Sequence, residues 1–251
     1  VFVPQVVAPA ELPADMASFK SQQHRWACGS IQTGLKLLPR LIRSRLPLGV
    51  KTEAFFHLTN NCAYALMALL AILVVPAMMV RQDVGRHTLL LVDLPLFLLS
   101  TISVSAFYLV SQREVRADWL STLALLPGVM SVGIGLSFNN ARAVLLTCRG
   151  RRAEFARTPK YSLEGTHGDW RDKRYRGPRQ PGGTATEMIF GIYFTLASIH
   201  AIRSGMYASL PFYLLFQAGF LYTAFLSLAQ NLRRRSAIPP PALLEAGQKT
   251  P

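Results

Sequence analysis

The sequence predicts a mainly α-helical integral membrane protein, with four transmembrane helices and amphipathic helices lying in the membrane interface. Three observations carry this. Hydrophobic residues make up 51% of the 251 residues and charged residues only 16%, with a mean hydropathy of +0.26, whereas soluble domains carry about 25% charged residues. The apolar residues are gathered into runs, and about 20 helical residues suffice to cross a hydrocarbon core of about 30 Å. The basic residues sit between those runs and not in stripes interleaved with aromatics, so the formal net charge of +14 reads as membrane topology and not as a nucleic-acid surface. Cys28, Cys62 and Cys148 are widely spaced and form neither CxxC nor a Cys/His cluster, which speaks against a disulfide framework and a zinc site.

The chain opens Val1-Phe2-Val3-Pro4, with no initiator Met, basic n-region or cleavage pattern, so it is expected to begin inside a longer protein. Residues 1–12 suit a short strand and turn. Pro13 and Asp15 then open a helix over 16–27, which Gly29 is expected to interrupt. From Ile31 to Leu48 the pattern is basic and amphipathic: Leu35, Leu38, Leu41 and Ile42 share one side, and Lys36, Arg40, Arg43 and Arg45 surround it. Such a helix lies in the membrane interface.

Ala54–Val80 contains no Asp, Glu, Lys or Arg and is expected to span. His87–Gln112 is a second span, with Asp93 near one end where headgroups can solvate it. Met188–Ile202 and Ser204–Leu232 supply the third and fourth. Trp119–Ala141 is also uncharged and long enough, but carries Pro127, Gly128, Gly133 and Gly135. If it crosses as well, the basic loop after Arg142 falls opposite the basic region at Lys36–Lys51. If it stays in the interface, those segments and Arg233-Arg234-Arg235 share one face, as the positive-inside rule requires. The expectation is therefore an interfacial or re-entrant helix at 119–141, with both chain ends and the basic loop in the cytoplasm. The tail from Pro239 is expected to be disordered.

Gln22, Arg25 and Trp26 form a Q-x-x-R-W pattern, and positions i, i+3 and i+4 share a helix face. A guanidinium can grip a pyrophosphate, an indole can stack on a sugar ring, and an amide can hydrogen-bond to either. An interfacial helix anchored by Trp and Arg would carry the same residue types. Asn60, Asn61, His57, Phe55, Phe56, Tyr64, Asn139 and Asn140 could line a sugar path, although such residues more often cap helices or bridge them. His200 and Gln217 read as structural.

Glu11-Leu12-Pro13 followed by Gln22-Gln23-His24-Arg25-Trp26-Ala27-Cys28-Gly29 resembles the end of the catalytic domain in processive family 2 glycosyltransferases, especially the cellulose synthase-like glucomannan and xyloglucan backbone synthases and their bacterial relatives. Downstream, Phe155-Ala156-Arg157-Thr158-Pro159-Lys160 is similar to the F-x-V-T-x-K gating loop of cellulose synthases, with Arg157 in place of the Val. The resemblance implies that Gln22, Arg25 and Trp26 sit beside the acceptor sugar and the nucleotide pyrophosphate at the mouth of a membrane channel. It also implies that Phe155, Thr158 and Lys160 belong to a loop that closes over the nucleotide, with Thr158 and Lys160 on phosphate oxygens.

The family's D-x-D and T-E-D motifs, which carry the metal-bound diphosphate and the general base, are missing from the sequence, where Glu11 and Asp15 are isolated. The resemblance places them upstream, in a GT-A α/β catalytic domain of the same protein, together with the ligands of a Mg²⁺ or Mn²⁺ ion. With the hydropathy pattern it divides the chain into 1–30, the end of that domain; 31–52, an interfacial amphipathic helix; 53–112, two transmembrane helices; 113–184, an interfacial or re-entrant helix and a basic cytoplasmic gating-like loop; 185–232, two transmembrane helices; and 233–251, a disordered cytoplasmic tail. The expected partners are a nucleotide sugar, UDP-glucose or GDP-mannose, a glycan acceptor and the bilayer of an inner or plasma membrane, with no nucleic acid. The complete protein is expected to polymerise hexose, and this chain alone to be inactive. Two other functions fit the same residues: a nonprocessive lipid glycosyltransferase, since ceramide glucosyltransferases have a related R-W motif, and a non-catalytic four-span membrane protein.

Overall fold

The computed structural model describes residues 6, 11–81, 91, 94–114, 118–151 and 181–236. These are mainly helical and contain no strand; most of the strand expected over 1–12 lies outside them. The helices are α1 (Met16–Arg43), α2 (Leu48–Thr59), α3 (Cys62–Arg81), α4 (Leu94–Arg113), α5 (Thr122–Gly135), α6 (Ser137–Cys148), α7 (Pro181–Arg203) and α8 (Leu210–Ser236).

Helix α1 begins at the expected cap. Asp15 is extended, at φ −131° and ψ 154°. Its Oδ1 accepts from the Ser18 amide at 2.8 Å and its Oδ2 from Ser18 Oγ at 2.9 Å, which satisfies an orphan donor of the first turn. Gly29 does not interrupt the helix. Ala27, Cys28, Ile31 and Gly34 are buried along one stripe on both sides of it, and that packing outweighs the cost of about 1 kcal/mol for a glycine inside a helix. Helix α2 folds back along α1. A side chain at Gly34 would press on the Leu58 carbonyl at 3.2 Å, and Ser30 Oγ donates to the same oxygen at 3.4 Å.

The apolar run expected as one span over 54–80 is divided at Asn60-Asn61. There the Ala63 and Tyr64 amides bond three residues back, to Asn60 O and Asn61 O, at 3.1 and 3.2 Å. Asn61 Nδ2 bonds Asn60 Oδ1 at 2.8 Å, and side-chain amides that compete with the backbone favour such a break.

Among the described residues, three helical segments are long and apolar enough to cross a membrane: Cys62–Val80, Gly183–Arg203 and Tyr207–Leu232. A fourth is added if Trp119–Gly135 and Ser137–Cys148, bent by 44° where they meet, make one span. Large apolar side chains such as Leu66, Leu69, Leu73, Ile189, Leu196, Leu214 and Phe225 are exposed on the outside of the bundle. An apolar surface of this extent marks contact with a nonaqueous phase or a partner.

The interior is aromatic. Phe194, Phe216 and Phe220 are fully enclosed between α7 and α8, and Ala71, Val75 and Met78 of α3 join them. Phe138 of α6 packs against Phe190, the rings tilted by 37° with centroids 4.3 Å apart. Helices α5 and α8 approach closely, backbone to backbone. A Cβ on Gly219 would fall on the Ser131 carbonyl, and one on Gly135 would fall on Gly219 O and Thr223. Small residues let helix backbones meet in this way.

Contact register gives each helix its direction. Glu187 at the start of α7 and Ser227 near the end of α8 both bond Lys20 of α1, so α7 leads away from α1 and α8 returns to it. Helix α3 starts with Cys62, which shares a groove with the second half of α1, and its Met78 reaches Tyr213 and the Met206 turn between α7 and α8. It therefore leads away. In α5, Ser131 Oγ bonds Leu215 O at 3.4 Å and Gly135 meets Gly219 and Thr223, so α5 runs parallel to α8, back towards α1.

Trp119 lies twelve residues before Ser131, about 18 Å at about 1.5 Å per residue, which sets it level with the α7–α8 turn. Arg81 and Trp119 are thus at the same end of the bundle, far from α1. Helix α5 packs along α8 and α6 is the helix laid against α1, a bent pair that makes either a broken span or a re-entrant loop. Of the expected span His87–Gln112, the described residues form α4 (Leu94–Arg113).

Candidate functional site

Two opposite faces of α1 set the site. One face, formed by Lys20, His24, Ala27, Cys28 and Ile31, is turned into the protein. Asn139 of α6 donates from Nδ2 to Lys20 O at 2.9 Å, and its own carbonyl lies 3.0 Å from His24 Nδ1. Cys28 Sγ points at Ala143 O at 3.8 Å, and Ala27, Cys28 and Ala143 form a small apolar contact. At the first turn, the Met16 amide donates to Gln230 Oε1 at 2.8 Å.

The strongest tie is a buried ion pair. Lys20 Nζ lies 2.5 Å from Glu187 Oε2, with both side chains almost fully enclosed, and it also donates to Ser227 Oγ at 2.8 Å. Ser227 in turn donates to Thr223 O at 2.6 Å. Burial pulls the Lys20 ammonium below its usual range, and the Glu187 carboxylate opposes that shift. One contact thus fixes α1 to the start of α7 and the end of α8.

Gln22, Arg25, Trp26 and Gly29 lie on the opposite face, because at 3.6 residues per turn they fall about half a turn from Lys20, Ala27 and Ile31. Gln22 and Arg25 are partly exposed, and Trp26 is 56% exposed. An amide, a guanidinium and an indole are presented side by side on a helix held rigidly from behind. Phe155, Thr158 and Lys160 lie outside the described residues. The segment that contains them leaves α6 after Cys148, which shares a groove with α1, and enters α7 just before Glu187, which is paired to α1. Both of its ends are therefore anchored at α1.

The other residues weighed for a sugar path have varied surroundings. Asn139 bridges two helices. Asn140 is fully buried, and its Nδ2 has no partner among the described residues. Gln217 accepts from Ser198 Oγ at 3.2 Å, between α7 and α8. Phe55 and Phe56 are exposed, edge to face. No group of three His, Cys, Asp or Glu residues suited to a metal is found among the described residues.

Sequence reasoning missed the Lys20–Glu187 pair. The available signal was Glu187 itself, an acid opening an otherwise apolar run, since such residues usually have a partner. Comparison with protein-family models, with curated proteins and with solved structures finds no match to this chain.

Proposed function

We propose that this chain is the membrane part of a family 2 β-glycosyltransferase, which polymerises hexose from a nucleotide sugar and moves the product through the bilayer. The observation that carries this is the arrangement around α1. The helix that presents Gln22, Arg25 and Trp26 outward is also the anchor for both ends of the segment bearing Phe155, Thr158 and Lys160.

In this account Arg25 binds the pyrophosphate of the donor and favours the leaving diphosphate, while Trp26 holds the acceptor sugar by stacking and Gln22 hydrogen-bonds to either. Thr158 and Lys160 approach phosphate oxygens from the loop. The general base and the ligands for Mg²⁺ or Mn²⁺ belong to an upstream GT-A domain, and the metal would neutralise the leaving group.

Helices α3, α5, α7 and α8 are the four spans, with α1, α6, the loop and both ends of the chain on the cytoplasmic side of an inner or plasma membrane. Lys36, Arg40, Arg43, Arg149 and Arg151, all exposed, then obey the positive-inside rule. This arrangement sets Trp119 outside. In intact cells an impermeant maleimide is expected to label Trp119→Cys and to leave native Cys148 unlabelled until the membrane is opened. Protection of the cysteine at 119 would mean that α5 does not cross.

The nucleotide role is tested with the full protein and an azido-UDP photoprobe. Label is expected on the peptide containing Gln22–Trp26, competed by UDP and by UDP-glucose, and reduced at least about tenfold by Arg25→Ala, the worth of one charge-assisted contact of about 1.4 kcal/mol. Label unaffected by Arg25→Ala would remove the nucleotide role and favour a non-catalytic membrane protein.

A further inference from the structure

A groove of about 410 Å³ runs beside the second half of α1, where Leu38 and Ile42 face Leu58 of α2, Cys62 of α3 and Cys148 of α6. Ligand cavities are typically about 300–1,000 Å³ and mostly apolar, with a few polar groups that fix orientation. Among the described residues lining this one, Arg43 is the one charged group, and it is exposed. Arg149, next to the lining residue Cys148, is exposed as well.

The depth of the groove is set by Cys62, the first residue of the span Cys62–Val80. Its apolar walls therefore lie where hydrocarbon begins, and its arginines lie where headgroups begin. We infer that the groove holds an acyl chain of an acidic phospholipid, with Arg43 paired to the headgroup phosphate and Arg149, next to the lining residue Cys148, adding positive potential. A strip of apolar side chains open at the membrane surface excludes water and accepts a chain of methylenes. An arginine and no carboxylate among the described lining residues favour a headgroup with net negative charge over a zwitterionic one. The site would tie the seating of α1, α2 and α6 to the lipid around them. It rests on α3 crossing a membrane and is independent of sugar transfer.

The test uses the full protein in mixed micelles with trace phosphatidylglycerol or phosphatidylcholine, each carrying a diazirine on one acyl chain, and maps the adducts by peptide mass spectrometry. Adducts are expected to concentrate on residues 31–43 and 58–62, with phosphatidylglycerol favoured by about fivefold. Arg43→Gln, an exposed position, is expected to remove most of that preference at unchanged thermal stability. Leu38→Trp is expected to fill the groove and abolish adducts there, while adducts on the outward face of α3 persist. Equal labelling by the two lipids, adducts spread evenly over all exposed apolar helices, or a groove shielded without any lipid adduct, as when a polypeptide covers it, would each overturn the proposal.

Discussion

Replacing Trp26 with Ala in the complete protein is expected to abolish polymer synthesis, lowering incorporation from a labelled sugar donor by at least about 100-fold, or about 2.7 kcal/mol of transition-state stabilisation. The size of the effect follows from placement. Trp26 is 56% exposed and stands on the face of α1 turned away from α6, α7 and α8, so truncating it removes little packing. Surface changes of that kind alter stability by about 0.5 kcal/mol or less. A stacking platform for the acceptor would act in every turnover, since each added sugar must be held in line with the donor. The variant should therefore insert into membranes and melt like the parent while failing to extend a chain. Trp26→Phe, which keeps a smaller ring, is expected to retain part of the activity. Undiminished incorporation by Trp26→Ala would remove the acceptor role, and loss of folded protein would turn the residue into a membrane anchor.

The second large effect is expected at the Lys20–Glu187 pair. Either Lys20→Met or Glu187→Leu alone leaves a buried charge without its counter-ion, a cost of about 3–5 kcal/mol. Both single variants should lose most of their thermal stability in detergent, measured by size-exclusion chromatography after heating. The double variant should recover much of the loss, because an apolar pair of similar volume avoids the desolvation that the ions suffer. Ser227 keeps its bond to Thr223 O in every case, so it adds little to the penalty. Additive losses in the double variant would contradict a coupled pair. Because this contact seats α1 against α7 and α8, the single variants should also lose sugar incorporation in proportion to the folded protein lost.

Much of the helical pattern can be read from the chain. Asp15 followed by Ser18 and an amphipathic run announces the cap and the start of α1, and the apolar runs after Met188 and Ser204 are α7 and α8. The common face of Gln22, Arg25 and Trp26 follows from spacing alone. That this face is the outward one does not, because it depends on what α6 and the Lys20–Glu187 pair do on the other side. Residues 167 apart leave no local signature of their meeting.

The choice between His87–Gln112 and Trp119–Ala141 as a net crossing was hidden for a different reason. Exchanging one for the other leaves every strongly basic segment on the same side of the membrane, so the positive-inside rule is satisfied either way. The proposed crossing at 119–148 is drawn from the meeting of Gly135 with Gly219, where absent side chains let α5 and α8 pack along each other. The turn at Asn60-Asn61 was hidden by the same habit of reading hydropathy, which averages over two amides that break a helix.

The most direct measurement is to reconstitute the complete protein in proteoliposomes with Mg²⁺ or Mn²⁺, supply radiolabelled UDP-glucose or GDP-mannose in turn, and size the product. The account predicts label from one of the two donors in a long β-linked polymer that a β-glucanase or β-mannanase degrades. Label confined to a single glycolipid, or no transfer from either donor by protein that is folded and inserted, would contradict it.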